Sequence, residues 1–361
     1  MNRKFGIDSG FTFGNFEDTP RFRGIKNGWL NKSGYIFARR NEDQSLQSHF
    51  INSCLLTEII DNNKVTTLFQ NGDRFRSGKI YHRRNADLSV KWLLDVYLNL
   101  HKLTNITIVP VMISYDRIFE QGNLSQEMIT GEQKDYSLST TFQSLLTAKQ
   151  NQFGETFVKY LAPINLGEFL QGECQISNLD QTNFEVAAVK LTEHLLRIQQ
   201  KNTPITLNSI VSACMLQEEA QTMEVSKLHE KACTLYEYIS VKESVTTFMQ
   251  VKPPKLLLEK HVDGLGFGLV DRGEKNAKIL LKSKDKNLQQ VLMLSYYSMP
   301  LSSIFIPEGF VALFMSNNMR KDKSPFALDS LYQMMASFAD MLKNEHLFDH
   351  SITRERTQKR V

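Results

Sequence analysis

The sequence predicts an α/β region with a mostly parallel sheet flanked by helices, followed by a mainly helical C-terminal region. Two β-rich runs, Lys64–Phe69 and Asn105–Tyr115, bracket an amphipathic stretch, and strand, crossover helix and strand in that order favour parallel pairing. Beyond Leu170 the texture changes to long segments with apolar residues at helical spacing. A chain of 361 residues can bury two cores. The division is placed at 1–175 for the α/β domain and 176–361 for the helical one.

The elements follow in order. Residues 1–33 show neither a helical nor a strand period, and GYIFARR (Gly34–Arg40) reads as a short strand ending in paired arginines. His49–Ile60 reads as helix and Lys64–Phe69 as a short buried strand. Asp87 is placed to cap a helix on which Leu88, Trp92, Val96 and Leu100 recur every four residues. In the strand Asn105–Tyr115, Pro110 marks a bulge, an edge or a strand end. A helix over about Tyr136–Phe153 stops at Gly154, and TFVKYL follows as a third strand. Helices are expected at Phe184–Gln200 and Leu207–Leu216, separated by the breaker NTPIT, and again over about Glu218–Ile239. GLGFGLVDRG reads as a hairpin, Gln289–Ile306 mixes helical and strand signals, and Phe326–Leu347 carries Leu328, Leu331, Met335, Phe338 and Leu342 on one helical face.

Composition narrows the function. The chain is 41% hydrophobic and 23% charged with a net charge of +4, a globular balance suited to anionic small molecules or an anionic membrane surface. Phe75 and Tyr81 interleave with basic residues, but no nucleic-acid module accompanies them. Cys54, Cys174, Cys214 and Cys233 form no C-x-x-C pair, which argues against a zinc site or a secreted disulfide framework and fits a reducing compartment. No apolar run reaches the roughly 18 residues a spanning helix needs. MNRKFGIDSG lacks the apolar segment of a secretory signal. The expectation is an intracellular protein, peripheral to a membrane where it meets one.

The stretch with the clearest chemistry is FQNGDRFRSGKIYHRR (Phe69–Arg84). A glycine-containing loop leaving a strand can aim backbone N–H groups at an anion, and guanidinium forks pair bidentately with phosphate oxygens. Arg74 and Arg76 stand two apart, so on extended backbone they share a side and can clamp one phosphate. His82 and Asp87 are five apart, which on a regular helix leaves them about 140° from each other, so Asp87 is better read as a cap. GLGFG (Gly264–Gly268) lacks the spacing of a dinucleotide site, and His194, His229, His261, His346 and His350 show no metal-ligand spacing.

Taken in order, these segments resemble the glycerol-3-phosphate / dihydroxyacetone-phosphate acyltransferase family. GYIFARR is similar to the second motif block, G-x-F-F-I-R-R; FQNGDRFRSGK to the third, F-x-E-G-x-R-S-R-x-x-K; and IVPVMISYDRIFE (Ile108–Glu120) to the fourth. NTPITLNSIVSACML and LSYYSMPLSSIFIPEGFVALFM resemble two segments of the family's C-terminal region. The resemblance implies transfer of an acyl group from a thioester, acyl-CoA or acyl carrier protein as co-substrate, to glycerol 3-phosphate or dihydroxyacetone phosphate. No other cofactor and no metal is implied. It places the acceptor phosphate on Arg39, Arg40, Gly72, Arg74, Arg76 and Ser77, and Pro110 on the acyl-donor side.

Two departures accompany the resemblance. The family's first block, His-x4-Asp, supplies the base that takes the hydroxyl proton and the carboxylate that orients it. No histidine precedes Gly34, and Asn71 stands where the third block has glutamate. The expectation is an N-terminally incomplete or degenerate member with no catalytic residue of its own and impaired transfer. The alternative is a non-catalytic, membrane-peripheral scaffold or regulator that keeps the phosphate pocket, with basic runs at Lys275–Lys286 and Arg354–Arg360 for an anionic surface.

Overall fold

Three short strands from the first 68 residues pair side by side in parallel. The computed structural model describes residues 11–15, 35–38, 46–69, 78–80, 88–99, 106–118, 121–131, 155–217, 222–241, 268–270, 278–280, 284–321 and 328–342. β1 (Phe11–Asn15) lies between β2 (Tyr35–Ala38) and β3 (Thr66–Leu68), with Phe13 opposite Ile36 on one side and Leu68 on the other. FTFGN alternates apolar and polar only over Phe11–Phe13, too short a run to mark a strand; ladders on both of its edges supply the hydrogen bonds that make it one.

Helix α1 (Leu46–Asp61) precedes β3, and α2 (Leu88–Asn99) follows it. On α2 the four-residue spacing does what it predicts: Trp92 and Val96 are buried, with Val90, Leu93 and Leu94 beside them. The run Asn105–Tyr115 is not one strand. It breaks into β4 (Thr107–Ile108) and β5 (Val111–Tyr115) at Pro110. A short helix, α3 (Gln121–Thr130), follows, and the helix expected near Tyr136–Phe153 lies outside the described residues.

β6 (Thr156–Tyr160) and β7 (Ile164–Asn165) return along β5 and β4. Ile108 faces Ile164 in an antiparallel pair. Further along, the Leu161 N–H donates to the Pro110 carbonyl and the Asp116 N–H to the Glu155 carbonyl, each at 2.9 Å. Moving two residues from Ile108 to Pro110 costs three on the returning strand, so one extra residue is bulged there. Pro110 and Pro163 have no N–H to give a regular ladder at this point.

α4 (Leu166–Gly172) starts at Asn165, whose side chain accepts from the Glu168 N–H at 3.1 Å. α5 (Phe184–Asn202) follows a turn closed by the Asp180 carboxylate, which accepts from both the N–H and the hydroxyl of Thr182; these bonds hold its pKa below the usual value. α6 (Leu207–Leu216) begins after the NTPIT breaker with Thr206 as its cap. Where more helix is expected from Glu218, the chain first forms β8 (Thr222–Glu224) and then α7 (Val225–Ser240). β9 (Gly268–Val270) pairs antiparallel with β10 (Lys278–Leu280), which also pairs with β8. The ambiguous segment near Gln289–Ile306 is helical, part of α8 (Lys284–Lys321), and α9 (Leu328–Leu342) completes the described chain.

The chain forms two compact units, each built from separated stretches. One comprises Met1–Arg74, His82–Pro110 and Tyr160–Leu195; the other comprises Phe75–Tyr81, Val111–Lys159 and Leu196–Val361. The first has its core between α1, α2, α4 and α5, where Leu56, Leu94, Leu166 and Leu191 are completely buried. Each such leucine contributes about 1.5–3 kcal/mol over leaving it exposed. The second packs α6 (Ile210, Val211), α7 (Leu228, Ile239) and α8 (Leu294, Tyr297, Leu301) around one apolar cluster. No single described helix is long and apolar enough to cross a membrane. The two parts of α8, Leu288–Ser302 and Ile304–Ser316, pass that test together, bent by 73°.

Candidate functional site

The second unit buries a polar junction that joins three of the motif segments. Asp116 directly follows β5 and is 8% exposed. Asn208, on the first turn of α6 and fully buried, donates its side-chain amide to the Asp116 carbonyl at 2.6 Å and to its carboxyl Oδ1 at 3.1 Å. The Thr206 cap sets this turn, because its hydroxyl accepts the Ser209 N–H and so fixes the direction in which the helix leaves the breaker. From α8, the Tyr297 hydroxyl accepts the Ile118 N–H at 2.9 Å and donates to the Gln121 side chain at 3.1 Å.

Burial governs the electrostatics here. It raises the Asp116 carboxyl from 3.8 to about 6, with Arg117 opposing and Glu155 reinforcing the shift. Burial also pushes the Tyr297 hydroxyl up to about 12, the Ile118 N–H opposing, so at neutral pH it keeps the proton it gives to Gln121. Neighbouring Tyr296, pushed up to about 12 as well, meets the Tyr297 ring edge-on with centroids 5.6 Å apart. Nothing in this junction is a free nucleophile. Its chemistry is to hold the end of β5, α6 and α8 in one register.

The same level of α8 meets the tail of the basic turn. Gly78 has φ 71°, and its backbone lies against the Tyr296 carbonyl. Lys79 and Ile80 continue from it, and a cleft of about 30 Å³ lies between them and Met299, Pro300 and Ser302. That is room for about one water.

In the first unit the structure shows a pair that reading by motif misses. The His49 Nε2 on α1 lies 2.5 Å from the Asp95 Oδ2 on α2, and the Ser53 hydroxyl donates to the same oxygen at 3.0 Å. A histidine bound by a carboxylate is the chemical element of a general base, but here both helices use the pair as a clasp. The signal available in the sequence is His49 and Ser53 four apart on a helix and a lone carboxylate interrupting the apolar stripe of α2.

Of the residues expected in the site, Pro110 is half-buried at the bulge, its carbonyl taken by Leu161. Arg39, Arg40, Gly72, Arg74, Arg76 and Ser77 lie outside the described residues, as do Asn71, His82 and Asp87. Among the described residues no group of three or more His, Cys, Asp or Glu side chains is arranged to hold a metal. All four cysteines are free, and burial raises the thiols of Cys174 and Cys214, the latter to about 11.

Comparison with known proteins defines the class. Residues 129–361 match the family described as glycerol-3-phosphate acyltransferase C-terminal region. The chain is 22% identical over 366 residues to glycerol-3-phosphate acyltransferase 1, mitochondrial, of Sus scrofa, covering 88% of this chain and 44% of the relative. It is 25% identical over 306 residues to glycerol-3-phosphate acyltransferase of Pseudomonas syringae pv. syringae, covering 82% of this chain and 35% of the relative. The Homo sapiens mitochondrial relative is 22% identical over 374 residues, again 88% of this chain and 44% of its own length. This chain belongs to the glycerol-3-phosphate acyltransferase family, and it spans less than half the length of these relatives.

Proposed function

We propose that the chain supplies the acceptor side of a glycerol-3-phosphate (or dihydroxyacetone-phosphate) acyltransferase of phospholipid biosynthesis, with an acyl thioester as donor. Arg39, Arg40, Gly72, Arg74, Arg76 and Ser77 hold the acceptor phosphate, and Pro110 stands on the donor side. The observation that carries this reading is the ordered set of motif segments, three of which the buried Asp116–Asn208–Tyr297 junction ties together. The mostly parallel α/β architecture remains part of the proposal, supported by the β2-β1-β3 ladder. Proton abstraction is not assigned to any residue of this sequence. The only His-x4-Asp spacing in it, His82 to Asp87, starts within the basic stretch Phe69–Arg84 rather than ahead of GYIFARR. A positioned base contributes about 10²–10⁴-fold, so this chain alone transfers acyl groups weakly.

Calorimetric titration with glycerol 3-phosphate and with dihydroxyacetone phosphate tests the site. The wild-type chain binds one or both, and replacing Arg74 and Arg76 together by alanine weakens binding at least tenfold. Equal heats for both proteins remove the phosphate reading. Exposed apolar side chains at Leu313, Met334 and Met341, together with the basic runs of the sequence, favour peripheral contact with a membrane. Flotation with liposomes that contain anionic lipid, and none with neutral ones, is the expected result; lipid-independent behaviour counts against it.

A further inference from the structure

Gly78 and the LSYYSMP part of α8 meet at a matched pair of residues. Gly78 follows Ser77 directly and has φ 71°, a backbone region that a side chain strains. A Cβ there would stand 2.7 Å from the Tyr296 carbonyl oxygen and 3.3 Å from both the Met299 Cβ and the Tyr296 ring. The first contact is with backbone, which cannot step aside as the end of a flexible side chain can.

Tyr296 is four residues before Pro300. In a regular helix its carbonyl would accept the N–H of residue 300, but proline has none and its ring crowds that carbonyl. The helix therefore presents an oxygen without its usual helical donor at the level where the loop presents a residue without a side chain. The level itself is fixed: the Tyr297 hydroxyl is tied to Ile118 and Gln121, and Tyr296 packs edge-on to Tyr297.

We propose that Tyr296–Pro300 is a seat for Gly78, making Gly78 a positioning residue that sets where Arg76 and Ser77 stand. The inference rests on the reading that those two residues bind the acceptor phosphate. On this account, one task of the LSYYSMP segment is to aim the phosphate loop from some 220 residues away in sequence. Its effect is on acceptor binding rather than on the chemistry of transfer.

Gly131 supplies the control. It also has positive φ, 70°, but nothing lies within 4 Å of the place a Cβ would occupy. Gly131→Ala introduces the backbone strain alone, whereas Gly78→Ala introduces the strain and the collision. Two readouts are taken on the full chain: calorimetric affinity for glycerol 3-phosphate, and the rate of tryptic cleavage after Arg76. Gly78→Ala is expected to weaken affinity at least tenfold and to speed cleavage severalfold, with Gly131→Ala near wild type in both. Pro300→Ala, which restores a helical N–H and removes a helix breaker, is expected to act in the same direction by a smaller factor and keeps the test decisive should Gly78→Ala not fold. Unchanged affinity and cleavage in both Gly78→Ala and Pro300→Ala overturn the seat. If wild type binds no glycerol 3-phosphate while Gly78→Ala still speeds cleavage after Arg76, the seat stands and the phosphate reading falls.

Discussion

Asp116→Asn isolates the energetics of the buried junction. The carboxyl titrates near 6 in the folded chain against 3.8 as its reference value, so between those limits the folded state holds more proton than the unfolded one. For a group raised in this way, the stabilisation is complete below the unfolded pKa and is lost as pH climbs through the folded one. A shift of that size corresponds to about 3 kcal/mol, which solvent screening trims to about 2 kcal/mol. Asparagine keeps an oxygen for the Asn208 amide and carries no charge. The stability of the variant minus that of wild type should therefore be near zero around pH 4 and rise to about 2 kcal/mol in favour of the variant above pH 7. Paired urea unfolding curves at half-unit steps from pH 4.5 to 8 measure this difference, and taking the difference cancels every contribution the two proteins share. A difference that does not change with pH, or that falls as pH rises, would show that the Asp116 carboxyl is not held in a desolvated site.

Two further substitutions probe the remaining ties. Tyr297→Phe removes the acceptor of the Ile118 N–H and the donor to Gln121, leaving a backbone group without its partner. It should destabilise the chain by about 1–3 kcal/mol in urea unfolding, and a change under about 0.5 kcal/mol would argue that water replaces the hydroxyl without penalty. His49→Gln breaks the clasp between α1 and α2, whose side chains are 33% and 24% exposed at His49 and Asp95; the loss should be about 1 kcal/mol, reduced in high salt. An unchanged midpoint at low salt would mean that the pair adds nothing.

Local chemistry makes some elements readable from the amino acids alone. α6 is legible to the residue because Pro204 stops the preceding helix, Thr206 caps the next one and nothing inside Leu207–Leu216 breaks it. α8 is not, since Pro300, Pro307 and the run of aromatic and β-branched residues between Tyr296 and Ile306 imitate strand and turn. Packing of Leu294, Tyr297 and Leu301 against α6 and α7 overrides those signals. α3 escapes notice for a related reason: QGNLSQEMIT is a poor helix former locally, yet Leu124, Ser125 and Glu127 are buried. The motif segments at the junction are all recognisable. The bonds between Asp116 and Asn208, 92 residues apart, and between Ile118 and Tyr297, 179 apart, carry no mark in sequence because they are made only when the chain closes on itself. The loop arginines stand out by charge and spacing alone, and their geometry falls outside the described residues.

The interleaved path of the chain limits how the protein can be dissected. Because each compact unit draws on three separate stretches, any single cut leaves at least one of them short of its own strands or helices. A fragment ending near the middle carries orphaned apolar faces from both, so gene halves expressed alone are candidates for inclusion bodies rather than for autonomous folding. Reassembly from co-expressed pieces, or reconnection of the termini elsewhere, suits this topology better than truncation.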